Sequence, residues 1–210
     1  MNRRKPIVVG GLLALCFWAA VFAGCAWLRT GPPLEEPVEL IAVLPLDRAD
    51  NADPARLPPG AEETVTAQVY AVLAESPRFR FVPDLTVLEA LRNVGRNLEL
   101  QQRAMALGRA VKADAVLYGT VERFVERQGG PYGAKAPASV SFGLALISVK
   151  SGKVLWQGRF DRTQQPLATN LLNWWMFWRG GPRWFSAEEL ARLGVEHLLD
   201  DLGRRLHSET

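Results

Sequence analysis

Val111-Lys112-Ala113-Asp114-Ala115-Val116-Leu117-Tyr118-Gly119-Thr120-Val121 decides the fold of this chain. Upstream of it, Leu100, Ala104, Leu107 and Val111 recur at helical spacing, so a helix ends at its start. Within it the apolar residues become nearly continuous, and the stretch runs on to Val125 as a buried strand. A helix delivered directly into an apolar strand is the second half of a crossover between parallel strands, which places the domain among α/β folds.

Working outward, Val38–Leu46 (VELIAVLPL) reads as an opening strand ended by Pro45 and Asp47. Residues 48–59 form a polar, proline-containing loop. Ala61–Ser76 places Val65, Val69, Val72 and Leu73 on one helical face. Phe79–Val82 is a short strand stopped by Pro83. Asp84 is predicted to cap a helix carrying Val87, Leu88, Leu91 and Val94, and Asn97 to cap the helix before Val111. Downstream, Ser139–Val149 is a long strand with Val140, Phe142, Leu144 and Leu146 on one face. Its other face opens with Ser139, Ser141, Gly143 and Ala145, small enough for a helix or partner to come close. Lys150-Ser151-Gly152-Lys153 turns the chain into a returning strand with Val154, Trp156 and Phe160 alternating. Ser186-Ala187-Glu188-Glu189 is a capping box that opens a last helix striped by Leu190, Leu193, Leu198, Leu202 and Leu206. The predicted order is βαβααβββα, a mixed sheet covered by helices, with no internal repeat.

The N-terminus is of a different kind. Arg3, Arg4 and Lys5 precede an uncharged apolar run from Ile7 to Phe22, and Ala23 and Gly24 stand before Cys25. A basic start, an apolar run and small residues make a secretory leader. With cysteine next, the segment resembles a bacterial lipoprotein signal. That resemblance implies cleavage after Gly24, a diacylglycerol on the Cys25 thiol and acylation of the new amine. The alternative is an uncleaved anchor, since Ile7–Leu28 is long enough to span a bilayer. Two or more acyl chains anchor a protein stably. Ala26 after the cysteine, where the family's inner-membrane signal is Asp, favours the outer membrane, with the domain in the periplasm. The expected division is residues 1–24 signal peptide, 25–37 lipidated cysteine and proline-rich tether, and 38–210 domain. Fully extended, the tether would reach about 43 Å.

Composition limits the chemistry. The whole chain has a formal charge of +3, but Arg3, Arg4 and Lys5 lie in the leader. From Cys25 onward the charges balance, so the basic pI is a feature of targeting and nucleic acid is not an expected partner. Cys16 lies in the leader and Cys25 would carry lipid, which leaves no thiol for catalysis or a disulfide. His197 and His207 are the only histidines, and their spacing is not that of metal ligands. Gly152-Lys153 lacks the rest of a phosphate loop, and no Gly-x-Ser-x-Gly elbow is present. Glu62-Glu63 and Glu188-Glu189 suit first helical turns, and Asp200-Asp201 reads as a solvated face. No catalytic residue, metal or cofactor is expected beyond the lipid on Cys25.

The element order resembles the periplasmic domain shared by the curli-secretion lipoprotein CsgG, the penicillin-binding-protein activator LpoB and the N-terminal domain of TolB. Ile41-Ala42-Val43-Leu44-Pro45-Leu46, the stretch quoted first, and the Ser-Gly-Lys hairpin leading to Val154-Leu155-Trp156 carry the resemblance. It implies a non-enzymatic envelope protein that binds a partner in envelope biogenesis, secretion or cell-wall synthase regulation. The alternative is an oligomeric ring or pore component of a CsgG-like secretion system. An envelope hydrolase would need a catalytic constellation that the sequence lacks.

One segment stands outside this pattern. In 171–185, Trp174, Trp175, Phe177, Trp178, Trp184 and Phe185 surround Arg179 and Arg183, and no acid occurs between Arg162 and Ala187. The run is too short for a transmembrane helix and does not alternate like a membrane strand. Three readings stay open: extra core over the sheet, contact with the membrane interface, or contact with an envelope partner or another copy.

Overall fold

The computed structural model describes residues 34–95, 97–164 and 183–206. The leader, Cys25, most of the tether and residues 171–182 of the aromatic segment lie outside the described residues, as does His207. The chain forms β1 (Leu40–Val43), β2 (Asp47–Arg48), α1 (Ala61–Glu75), β3 (Arg80–Phe81), α2 (Asp84–Leu91), α3 (Leu100–Val111), β4 (Ala115–Val125), β5 (Gln128–Gly130), β6 (Gly133–Ala136), β7 (Ser139–Ser148), β8 (Val154–Thr163) and α4 (Ala187–Leu206). Every predicted element is present in the predicted order. The short β2 and the β5–β6 hairpin between β4 and β7 are additions.

The main sheet is mixed, with order β3-β1-β4-β7-β8 and β2 alongside β4 beyond the end of β1. β3, β1 and β4 run parallel, and β4, β7 and β8 antiparallel. Asp114, inside the deciding stretch, pins this arrangement. Its carboxylate accepts from the Glu39 and Leu40 amides at 3.1 and 2.8 Å. Its own amide donates to the Leu40 carbonyl, and its carbonyl accepts from Val149, both at 2.9 Å. One residue thus holds the start of β1 and the end of β7 against β4. The preceding turn is equally specific. Lys112 takes the left-handed conformation at φ 56°, and the Ala113 amide reaches back to the Gly108 carbonyl at 2.9 Å, which stops α3 before the strand begins.

Strand alternation sorts the apolar residues into two cores. On one face Ile41, Val43, Leu117, Val121, Val140, Phe142, Leu144 and Leu146 pack beneath α1 and α4. On the other, Ala42, Leu44, Val116, Tyr118 and Ile147 meet Val87 of α2 and Ala104 and Leu107 of α3. The first face is tightly closed. The Phe142 and Phe160 rings lie 5.5 Å apart, and Gly194 lets α4 sit so close that a Cβ there would come within 2.6 Å of the Phe160 ring.

Several local expectations are corrected. The Ncap of α3 is Glu99 rather than Asn97, and that of α2 is Pro83, with Asp84 the first helical residue accepting from the Leu85 amide. A bulge between Leu146 and Ile147 breaks the β8 alternation, so Val154 is exposed while Trp156 and Phe160 are buried. Asp201 is no idle surface acid: it accepts from the Trp156 indole at 2.9 Å and pairs with Arg205 at 3.1 Å. The described end of the tether also lies on the domain. Leu34 packs against the core, its amide donates to the Arg205 carbonyl at 3.4 Å, and Ser148 donates to Glu36 at 2.7 Å.

Candidate functional site

Among the described residues no group of three or more His, Cys, Asp or Glu side chains could hold a metal ion, and no helix is long and apolar enough to cross a membrane. What the described residues offer instead is surface, in three places.

The first is the described end of the aromatic segment. Gln164, 2 % exposed, donates from its amide nitrogen to the Arg183 carbonyl at 2.9 Å and accepts from the Phe185 amide at 2.7 Å. The chain therefore re-enters at Arg183 beside the residue from which it left. Phe185, a candidate contact residue for which a core reading was equally open, is 2 % exposed and belongs to the first core, its backbone held by the hydrogen bond to Gln164. Arg183 lies over its ring at 5.8 Å and pairs with Glu189 at 2.7 Å. Trp184 is half-buried. Its amide donates to the Pro131 carbonyl at 2.7 Å and its carbonyl accepts from Arg127 at 2.9 Å, which bolts it to the β5–β6 hairpin. At that hairpin's tip Tyr132 is 84 % exposed. Trp174, Trp175, Phe177, Trp178 and Arg179 lie outside the described residues. No pattern in the sequence signals the Gln164 clamp, since a polar residue after a strand reads as the start of a loop.

The capping box begins immediately after this clamp. The Ser186 amide donates to Glu189 at 2.9 Å, and the Glu189 amide donates to the Ser186 hydroxyl at 3.1 Å. Burial pushes the Glu189 carboxyl up, but the Ser186 amide, Arg183 and Arg127 outweigh it and hold the group below its ordinary value.

The second surface is the far end of the other sheet face, beyond the reach of α2 and α3. Among the described residues, the small residues of β7 are covered there by side chains from the flanking strands. Arg159 pairs with Glu122 and Arg123 with Asp161. Arg123 donates to Ser139 at 2.7 Å, and Ser141 donates to Glu122 at 3.1 Å. Burial raises the Asp161 carboxyl, yet Arg123 and Arg159 bring it below the usual carboxylate range. Beside this network Tyr118, Gly143 and Gln157 line a cleft of about 450 Å³.

The third surface is α2. Of its eight residues only Val87 is buried, whereas Leu85 is 75 % and Leu88 52 % exposed, with Leu98 also exposed nearby. Burying a leucine fully is worth about 1.5–3 kcal/mol, which α2 largely forgoes. A cleft runs along each side of the helix. One, of about 250 Å³, is lined by Pro45, Glu63, Tyr70, Asp84 and Leu88. The other, of about 390 Å³, is lined by Pro45, Leu88, Leu91, Arg92, Val94 and Arg103. Burial, and secondarily the Asp84 charge, pushes the Tyr70 phenol well above its usual range, so it stays protonated and donates to the Val43 carbonyl at 3.2 Å. Arg103 pairs with Asp47 at 2.8 Å.

One family model matches part of the chain. The family model described as peptidoglycan-synthase activator LpoB matches residues 61–161, which run from α1 into β8. Among solved structures, a lipoprotein from Neisseria meningitidis, GNA1162, is 22% identical, covering 67% of this chain and 91% of its own, with a TM-score of 0.46. The LpoB C-terminal domain from Salmonella enterica is 18% identical over 67% of this chain and 92% of its own, TM-score 0.43. The PelC dodecamer from Paraburkholderia phytofirmans is 17% identical over 83% and 93%, TM-score 0.45. No curated protein matches. The matching family is described as a peptidoglycan-synthase activator, and the comparisons do not support the CsgG-like pore; among the described residues every strand longer than four residues belongs to the one main sheet.

Proposed function

We propose that this chain, whose residues 61–161 match the LpoB family model, is a non-enzymatic, lipid-anchored envelope protein that binds a peptidoglycan synthase and regulates it. The family match carries the reading. The leader supports its placement: cleavage after Gly24 and lipidation of Cys25 would hold the domain on the periplasmic side of the outer membrane. The contact role of Trp174, Trp175, Phe177, Trp178, Arg179, Arg183 and Trp184 belongs to the same proposal.

Geometry constrains how such a protein works. Leu34 meets Arg205 at the C-terminal end of α4, and Trp184 precedes its N-terminal end. Twenty helical residues separate these ends by about 30 Å. Residues 26–33 span at most about 29 Å extended. With the tether end toward the membrane, the Trp184 end faces away from it, toward a partner on the cell-wall side.

The test is to add the purified, lipidated full-length protein to a peptidoglycan synthase of the same organism and follow glycan polymerisation. A saturable change in rate, with direct binding, is expected. No binding and no change in rate would overturn the reading. Replacing residues 167–181 by a short Gly/Ser linker separates contact from core. Because Gln164 holds the flanking backbone together, this variant is expected to melt like the wild type while binding more weakly. Loss of folding would assign the segment to the core.

A further inference from the structure

We propose that the outer face of α2 docks a protein segment presenting two adjacent apolar side chains between a basic and an acidic residue. The inference rests on the partner-binding reading above and names where the partner sits and what it must look like.

Leu85 and Leu88 stand one helical turn apart and are both exposed. Leu88 and Pro45 line both clefts beside the helix, so Leu88 is the ridge between them, and Leu85, one turn before it, extends the exposed apolar surface toward the start of α2. Its two sides differ in sign. Glu63 and Asp84 lie on one side, while Arg92 and Arg103 lie on the other. Glu63, Asp84 and Arg92 are exposed and make no ion pair among the described residues. Exposed apolar area rimmed by charge marks an interaction site, and opposite charges on opposite sides fix the direction in which a partner segment lies. A bilayer does not fit, because an anionic surface would be repelled by the Glu63 and Asp84 side. A peptide segment fits: its apolar pair would fill the clefts, its cation would meet Glu63 and Asp84, and its carboxylate would meet Arg92.

The experiment measures affinity of the full-length protein for the immobilised synthase used above. The Leu85→Glu/Leu88→Glu double variant is expected to weaken binding at least tenfold, and Arg92→Glu about three- to tenfold. Val154→Glu, which places the same charge on an exposed apolar residue of β8, should bind within twofold of the wild type. Equal melting temperatures show that the exposed substitutions leave the fold intact. Wild-type binding that the α2 variants leave unchanged would overturn this site while leaving the functional reading standing. No binding by the wild type would overturn both. If the α2 substitutions instead lower the native mass of the isolated protein, the face joins copies of this chain and the assignment to a different partner is wrong.

Discussion

The two faces of the sheet are built from the same strands and finished differently. Beneath α1 and α4 the face is sealed: Phe142, Val140, Leu190, Val195 and Leu202 are without solvent exposure, and Gly194 brings the helix down onto Phe160. On the opposite face α3 seals only the parallel end, through Ala104 and Leu107. α2 contributes one buried side chain there, and the antiparallel end is covered by paired arginines and carboxylates. A sheet needs one well-packed face to reach ordinary stability. The second face is thereby free to leave side chains exposed, as α2 does with Leu85 and Leu88. Substitutions should divide along that line.

The largest effect belongs to the sealed face. Phe142→Ala removes a fully buried ring and leaves a cavity beside Phe160, so it should cost about 3–5 kcal/mol, read as a lower urea midpoint at unchanged slope. A loss under about 1 kcal/mol would mean that α1 and α4 do not close the core as described. Gly194→Ala is next. Alanine favours a helix over glycine by about 1 kcal/mol, but the added methyl would lie 2.6 Å from the buried Phe160 ring. Overpacking of this kind costs about 1–3 kcal/mol, and the ring has no room to swing away. A net loss of up to about 2 kcal/mol is expected, and a gain would show the contact to be loose.

The sealed face was also the more legible in sequence. Its strands and α4 announce themselves by period, because packing against a helix requires apolar residues at every second strand position and every third or fourth helix position. The Ser186–Glu189 box was readable for the same reason: two short side chains at fixed spacing satisfy two amides. What could not be read depends on residues far apart in sequence. Asp114 looks like a charged interruption before a strand, yet it binds amides 74 and 75 residues away. Gln164 looks like the start of a loop, yet it clamps Arg183 and Phe185, and that clamp decides for Phe185 between the core and contact readings that the sequence left open. The α2 surface was missed because Val87, Leu88 and Leu91 have helical spacing. Period shows that a helix has an apolar stripe and cannot show whether anything covers it.

The rim of the sealed face supplies a pH test. Glu189 is held below its ordinary value in the folded protein. A depressed carboxyl adds stability above its unfolded value, about 4.3, and that stability is lost as pH falls through the folded value. Glu189→Gln keeps the geometry of the capping box and removes the titration. The variant should melt below the wild type at pH 7, and the gap should close as pH falls from about 5 to 3. A gap independent of pH would show that the charge of Glu189 contributes nothing. Ser186→Ala breaks the box itself and should cost about 1 kcal/mol across the same range.

The smallest predicted effect is the most pointed. Leu85→Glu replaces a leucine that is 75 % exposed, in the first turn of α2, where a negative charge is favoured by the helix dipole. Little burial is lost and the dipole term offsets part of it, so stability should change by no more than about 0.5 kcal/mol. The same substitution in a sealed core would unfold the protein, since an unpaired buried carboxylate is costly. Chemical denaturation of the isolated full-length protein distinguishes the two. A loss above about 2 kcal/mol would mean that Leu85 is covered by another part of the chain or by a second copy, and the asymmetry between the faces would then be an asymmetry of contents and not of closure. A near-neutral result, with partner affinity reduced, would separate the residues that hold this fold together from those it displays.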